Sequence, residues 1–365
     1  MRRIRLSFIT AIFLALACGR AYADDLLLWA PGLGQPQFVL PRPTSVHAPE
    51  NAVKKFLNRI THDVRLKNII PPNANLQPVG QVQIWDPQTL ALKPRVAVLA
   101  NQWQDLSTDP QNVRIKRIVT QLTLAGADVY VIPPVADLGL NRKEAVRFRK
   151  MLSENFDSLL ALGGADVDPS LYHQAKTHSG ETNSIRDIAE SRIIKSFFAS
   201  KRGPIFGICR GHQLCAVSLG HQMIQDISQE TKADIDHRDS GHRIQIEEGT
   251  LLASIIGSSD KWVNSIHHQA VLPRSNSALK VVAKSIDSGE VVVEGLESRD
   301  GRVLTVQFHP ELMDEEHGAP LIPALVEYTK AFREKKSNAP IPKLPKTEKC
   351  PKGALQRALV RIIKE

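Results

Sequence analysis

The chain has 365 residues, enough for one large domain or two small ones, and its 42% hydrophobic content is ordinary for a protein that buries a real core. The formal net charge of +9 is unevenly held: residues 1–23 carry four arginines and no acid, and residues 335–365 carry nine Lys/Arg against two Glu, so the body between them is slightly acidic. That excludes the broad basic footprint of a nucleic-acid binder, and no apolar run approaches the ~20 residues of a membrane-spanning helix.

Residues 1–23 read as a secretory leader. Arg2, Arg3 and Arg5 precede the short apolar stretch 6–18, and Ala21-Tyr22-Ala23 is a small-x-small cleavage site followed by Asp24 and Asp25. Export with cleavage after Ala23, to a periplasmic or secreted location, is therefore expected. The alternative is lipidation at Cys18, but Leu16 sits two residues before that cysteine rather than three. Residues 24–93 are proline-rich and aperiodic apart from a candidate helix at 50–67, and form an N-terminal extension expected to wrap the domain or to link it to something else. The cleaved chain would keep Cys209, Cys215 and Cys350, an odd number, so at least one thiol stays free or pairs with another chain.

A catalytic domain is expected over 94–336. The apolar run 95–100 predicts a strand buried on both faces, followed by a helix at 111–125, a strand at 127–134, a helix at 141–154, a strand at 156–164, a helix at 186–202 and a strand at 204–208. This alternation predicts an α/β fold, a doubly wound and mostly parallel sheet with flanking helices. Segments 242–248, 279–286 and 290–296 read as antiparallel additions, 303–308 as a further buried strand and 321–336 as a closing helix. Residues 337–365 form a basic Pro/Lys-rich tail. Its end, 354–365, puts Leu355, Ala358, Leu359 and Ile362 on one helical face. A helix that short is marginal alone and is expected to dock on the body or, peripherally, on a membrane surface.

Two motifs carry chemistry. Gly207-Ile208-Cys209-Arg210-Gly211 lies between a predicted strand and a predicted helix, the small-x-nucleophile-x-small pattern of a nucleophile elbow. The glycines allow a sharp turn, and the helix N-terminus favours a thiolate. Alone, the motif fits a buried core cysteine equally well. About 100 residues on, His309-Pro310-Glu311 ends a predicted strand, so alternation would put the imidazole and the carboxylate on one face, as base and orienting partner. Together the two motifs favour catalysis.

Cys209 within GICRGHQ and FHPE at 308–311 resemble the class I glutamine amidotransferase-like superfamily, which has a flavodoxin-like fold. GGADVDPSLY (163–172), RDIAE (186–190) and VNSIHHQAV (263–271) resemble its peptidase C26 branch, which includes γ-glutamyl-γ-aminobutyrate hydrolases. The resemblance covers about residues 94–335. It implies a triad of Cys209, His309 and Glu311. It also implies an oxyanion hole from the Arg210 N–H and the Gly163-Gly164 loop, each donor being worth ~3 kcal/mol. The substrate implied is a small γ-glutamyl amide, cleaved through a thioester on Cys209 without a cofactor. By the same resemblance Gln213 faces the glutamyl group, although a core amide is an equal reading.

His267 and His268 are adjacent, so only one can face the cleft, and His268 is favoured. Asp166 is assigned to the mouth of the site and Asp168 to a structural turn. His212, His221, His237 and His242 lack the spacing of a ligand set, so no metal is expected. Ala216 and His221 replace a glycine pair and an asparagine of the branch, and Cys215 is unusual, which leaves the amine side of the substrate open. A glutaminase subunit feeding ammonia to a synthase, or a secreted binding protein that lost the chemistry, are the competing readings.

Overall fold

A computed structural model of the chain describes residues 26–30, 37–41, 81–84, 93–99, 110–133, 140–233, 237–258, 260–287, 289–313 and 320–334. The predicted leader, the candidate helix at 50–67, Cys18, Cys350 and the basic tail lie outside the described residues.

The described strands are β1 (Leu26–Ala30), β2 (Gln37–Pro41), β3 (Gln81–Ile84), β4 (Arg95–Leu99), β5 (Asp128–Ile132), β6 (Ser158–Ala161), β7 (Ile205–Ile208), β8 (Gln222–Ile224), β9 (Ser240–Ile246), β10 (Lys261–Ser265), β11 (Ala270–Leu272), β12 (Leu279–Asp287), β13 (Glu290–Ser298) and β14 (Val303–Val306). Twelve of them form one sheet in the order β10-β9-β12-β13-β14-β7-β6-β4-β5-β2-β1-β3. From β14 to β2 every neighbouring pair is parallel. The outer strands on both sides are antiparallel. Counting from β4, the core strands β4, β5, β6, β7 and β14 follow the order 2-1-3-4-5, the flavodoxin-like arrangement of a doubly wound sheet.

Both faces of the parallel core are covered, which explains the unbroken apolar runs. In β4, Val96 and Val98 pack in one core with Ile118 and Leu122 of α1 (Pro110–Leu124) and Leu325 of α5 (Leu321–Glu334). Ala97 and Leu99 pack in the other core. There they meet Leu152 of α2 (Arg142–Asn155), Ile194 and Phe197 of α3 (Ser184–Ser200), and Leu214 of α4 (Arg210–Ser218). Alternate side chains of one strand thus serve two helical layers. A capping box fixes the start of α2, with Asn141 accepting from the Lys143 and Glu144 N–H groups and Glu144 accepting from the Asn141 N–H.

Three details depart from the sequence reading. The proline-rich extension adds β1, β2 and β3 to the sheet, with β2 parallel to β5. β8, β10 and β11, the last two overlapping VNSIHHQAV, were not anticipated. The strand predicted at 303–308 stops at Val306, and Pro310–Leu312 forms a 3-10 turn with His309 as its N-cap.

Gly211 shows how tightly α4 seats on the sheet. A Cβ there would lie 2.1 Å from the Ala161 carbonyl oxygen, a backbone atom of β6. Gly211→Ala is therefore expected to destabilise the protein by about 1–3 kcal/mol or more, read as a lowered urea midpoint at unchanged m-value.

Candidate active site

Three carboxyl ends of adjacent parallel strands build the site, the edge where doubly wound sheets present their chemistry. β7 delivers Cys209, β6 delivers Gly163 and Gly164, and β14 delivers His309. Cys209 has φ +54° and ψ −113° and caps α4, a conformation unfavourable for a side chain and characteristic of a nucleophile elbow. Gly207 permits it: an added Cβ would lie 2.7 Å from the Gly211 carbonyl oxygen. The thiol is 7% exposed and its Sγ lies 3.9 Å from the Ile266 carbonyl oxygen.

His309 and Glu311 are both buried, with Nδ1 2.6 Å from Glu311 Oε1. They meet through the 3-10 turn rather than by strand alternation. Asn264 of β10 holds the His309 backbone from both sides, accepting from its N–H at 2.8 Å and donating to its carbonyl at 2.9 Å. Nε2 is left for Cys209. It makes no strict hydrogen bond in this arrangement, as is common for catalytic pairs without substrate. The electrostatic contact is nonetheless strong. Burial opposes charge on His309, but Cys209 and Glu311 outweigh it and raise its pKa to about 10.

The ring is therefore an imidazolium through neutral pH. Its pKa is above the ordinary 6.5, so its proton stabilises the fold fully below pH 6.5, and that contribution is lost as pH rises through about 10. The value of kcat/KM is expected to fall along an alkaline limb near pH 10, where the general acid is lost, and Glu311→Gln should move that limb downward. A pH–rate profile of both proteins checks this.

Gly163 fits against the pair. A Cβ on it would lie 3.2 Å from His309 Cε1 and 3.7 Å from Cys209 Cβ, so a side chain there would crowd the imidazole. Gly164 has φ +156°, and a Cβ there would meet Arg186 Nη1 at 2.3 Å. A narrow pocket beside these residues is walled by Ile115, Ile118 and Leu162 and bounded by Gly163, Gly164, His309 and Glu311.

A buried ion network lies behind the Gly163-Gly164 loop. Arg210 pairs with Asp187 and, at 2.5 Å, with Glu190; Arg186 pairs with Glu190 at 2.8 Å. Arg186 Nη2 also reaches the Gly163 carbonyl at 3.5 Å, and Asp187 accepts from the Asp168 N–H at 2.8 Å. Two guanidiniums and two carboxylates balance, which offsets their removal from water. Burial alone would raise Glu190, but Arg186 and Arg210 hold it below the usual carboxylate value. The Arg210 side chain therefore ties the residue after the nucleophile to α3 and to the 163–168 loop. RDIAE places Arg186 and Glu190 one helical turn apart on a buried face; that spacing was the signal for this network.

The remaining predicted residues are also placed. Gln213 is buried and its Nε2 donates to Gln307 Oε1 at 3.2 Å and to the Gln269 carbonyl at 3.4 Å, the geometry of a core amide. His267 is buried and His268 half-buried. His268 bridges two carboxylates, with Nε2 2.9 Å from Asp166 Oδ2 and Nδ1 3.0 Å from Asp226 Oδ2. The bond to Asp166 leads the causes that raise its pKa. Asp168 caps the 3-10 turn Pro169–Tyr172, accepting from the Ser170 N–H. Cys215 is buried and free, and burial pushes its thiol up to about 12, out of reach as a nucleophile. His212 pairs with Thr305, and burial lowers it to about 3; His221 accepts from the Arg274 N–H. His237 and His242, in contrast, converge with Glu294 among the described residues.

An elbow cysteine facing a paired imidazole and carboxylate, on a 2-1-3-4-5 sheet, is the arrangement of the glutamine amidotransferase-like class. The profile of peptidase C26 matches residues 97–311, and the chain belongs to that family. Protein NtpR of Enterococcus hirae is 37% identical over 169 residues, 44% of this chain and 68% of that protein. The glutamine amidotransferase-like protein YvdE of Lactococcus lactis is 36% identical over 163 residues, 42% of this chain and 66% of that one. The gamma-glutamyl-gamma-aminobutyrate hydrolase PuuD of Escherichia coli is 31% identical over 169 residues, 42% of this chain and 63% of that enzyme. The alignments thus span about two-thirds of these relatives' lengths.

Proposed function

We propose that this protein is an exported cysteine hydrolase that cleaves γ-glutamyl amide bonds through a γ-glutamyl thioester on Cys209. The observation that carries the reading is the Cys209, His309 and Glu311 constellation closed against Gly163. Cys209 attacks the γ-carbonyl, the Arg210 N–H and the Gly163-Gly164 loop receive the oxyanion, and His309 protonates the departing amine. Water, deprotonated by His309, then releases glutamate. The apolar walls at Ile115, Ile118 and Leu162 lie on the His309 side, where the amine leaves. The name of the Escherichia coli relative supports a γ-glutamyl substrate, and the leader-like residues 1–23 support export.

Incubating the purified protein with a panel of γ-glutamyl amines and glutamine tests this. Free glutamate from the amines in preference to glutamine is the expected result. Turnover of glutamine alone would favour the glutaminase reading, and no glutamate from any of them would overturn hydrolysis.

A further inference from the structure

Glu294 of β13 is fully buried, and among the described residues every basic side chain within 4.0 Å of it is a histidine. Its Oε1 lies 3.0 Å from His242 Nε2, 3.7 Å from His267 Nε2 and 4.0 Å from His237 Nδ1. The rings of His237 and His242 are 4.6 Å apart, and those of His237 and His267 5.0 Å.

Counting protons shows how poorly this carboxylate is served. His267 Nδ1 lies 3.0 Å from the Gln269 carbonyl oxygen, which can only accept, so Nδ1 carries the hydrogen. In neutral His267 the Nε2 is then a bare acceptor for the Ser265 hydroxyl at 3.1 Å. His237 Nδ1, 3.0 Å from Ser265 Oγ, is left to donate to that oxygen. Among the described residues only His242 gives Glu294 a hydrogen bond. Among the described residues Glu294 Oε2 and His242 Nδ1 have no hydrogen-bond partner. A buried carboxylate with one N–H partner and a bare oxygen is costly and calls for a positive charge or a proton.

We propose that His237, His242 and Glu294, with His267 as the fourth donor, hold one divalent transition-metal ion of the zinc type in a closed structural site. Zinc accepts imidazole nitrogen and carboxylate oxygen at ~2.0–2.2 Å, which sets tetrahedral donors about 3.3–3.5 Å apart. The 3.0 and 3.7 Å spacings from Glu294 Oε1 to His242 Nε2 and His267 Nε2 straddle that value, and one donor atom from each of His237, His242 and Glu294 lies within 4.8 Å of the others. Two details suit metal ligation. The His267 Nδ1–H to Gln269 carbonyl bond is the outer bond by which ligating histidines are oriented. Ser265 Oγ also lies 3.1 Å from the His237 carbonyl, so its hydrogen can turn there and release His267 Nε2 to the ion. The site joins β9 and β13 to the segment 265–267, whose Ile266 carbonyl lies beside Cys209. The ion would brace one wall of the catalytic cleft without touching the reacting atoms.

The test uses the full chain carrying Cys209→Ser, which removes the competing Cys209 thiol. The protein is stripped with a chelator, back-titrated with zinc sulfate, desalted and analysed by elemental mass spectrometry. About one zinc per chain and a melting temperature raised by several degrees are expected. Glu294→Gln in the same background should bind zinc at least ~100-fold more weakly, since an inner ligand should cost no less than the outer partners that cost 10–100-fold. No retained zinc in the Cys209→Ser chain, or undiminished affinity in Glu294→Gln, would overturn the site. Should Glu294→Gln not fold, cobalt in the Cys209→Ser chain decides. A tetrahedral imidazole–carboxylate spectrum supports the proposal, and the spectrum of hydrated cobalt sinks it.

Discussion

Cys209→Ala is expected to lower kcat by about four orders of magnitude or more, because it removes the covalent route itself and leaves only binding and oxyanion stabilisation. The fold should survive. Alanine keeps the Cβ, so the backbone at φ +54° is no more strained than before, and only one largely buried sulfur is lost from the core. Glutamate release measured beside a urea melt separates the two effects. Retention of more than about a tenth of the parent activity would remove Cys209 from its role. Cys215 offers no substitute, since it is buried in α4 with its thiol raised to about 12.

What the sequence disclosed follows from how local each signal was. Strands such as β4 and β7 are covered on both faces by helices, so their unbroken apolar runs were readable, and the elbow glycines advertised the turn at Cys209. The pairing of His309 with Glu311 was anticipated for the wrong reason. Residues two apart share a face in a strand, but the strand ends at Val306 and a 3-10 turn brings them together. Long-range arrangements were not legible. Arg210 meets Asp187 and Glu190 from 23 and 20 residues away, and Asn264 holds a histidine 45 residues further on. Spacing also hid the cluster of His237, His242 and Glu294. Its members come from β9, β13 and the residue preceding β9 by three, and sheet pairing rather than sequence distance makes them neighbours.

His309 and Glu311 should fail unequally when replaced. In the proposed mechanism His309 moves protons in both halves of the reaction, so His309→Ala should approach the loss seen for Cys209→Ala. Glu311 orients the ring through one 2.6 Å contact and raises its pKa, so Glu311→Gln should cost less in kcat, as orienting carboxylates do in other triads. The milder defect is the more informative one. Acylation needs the imidazolium to protonate the departing amine, whereas deacylation needs the neutral ring to deprotonate water. An imidazole that is poorly oriented as a base slows the second step and lets the acyl-enzyme accumulate. Mass spectrometry of Glu311→Gln mixed with a γ-glutamyl amide should then find a glutamyl adduct on Cys209. The adduct mass reports the acyl group independently of the leaving amine. A different acyl group would keep the triad and displace the γ-glutamyl substrate. If no member of the panel gives an adduct, and Cys209 reacts with iodoacetamide no faster than Cys350, the elbow is not activated and the binding-protein reading takes its place.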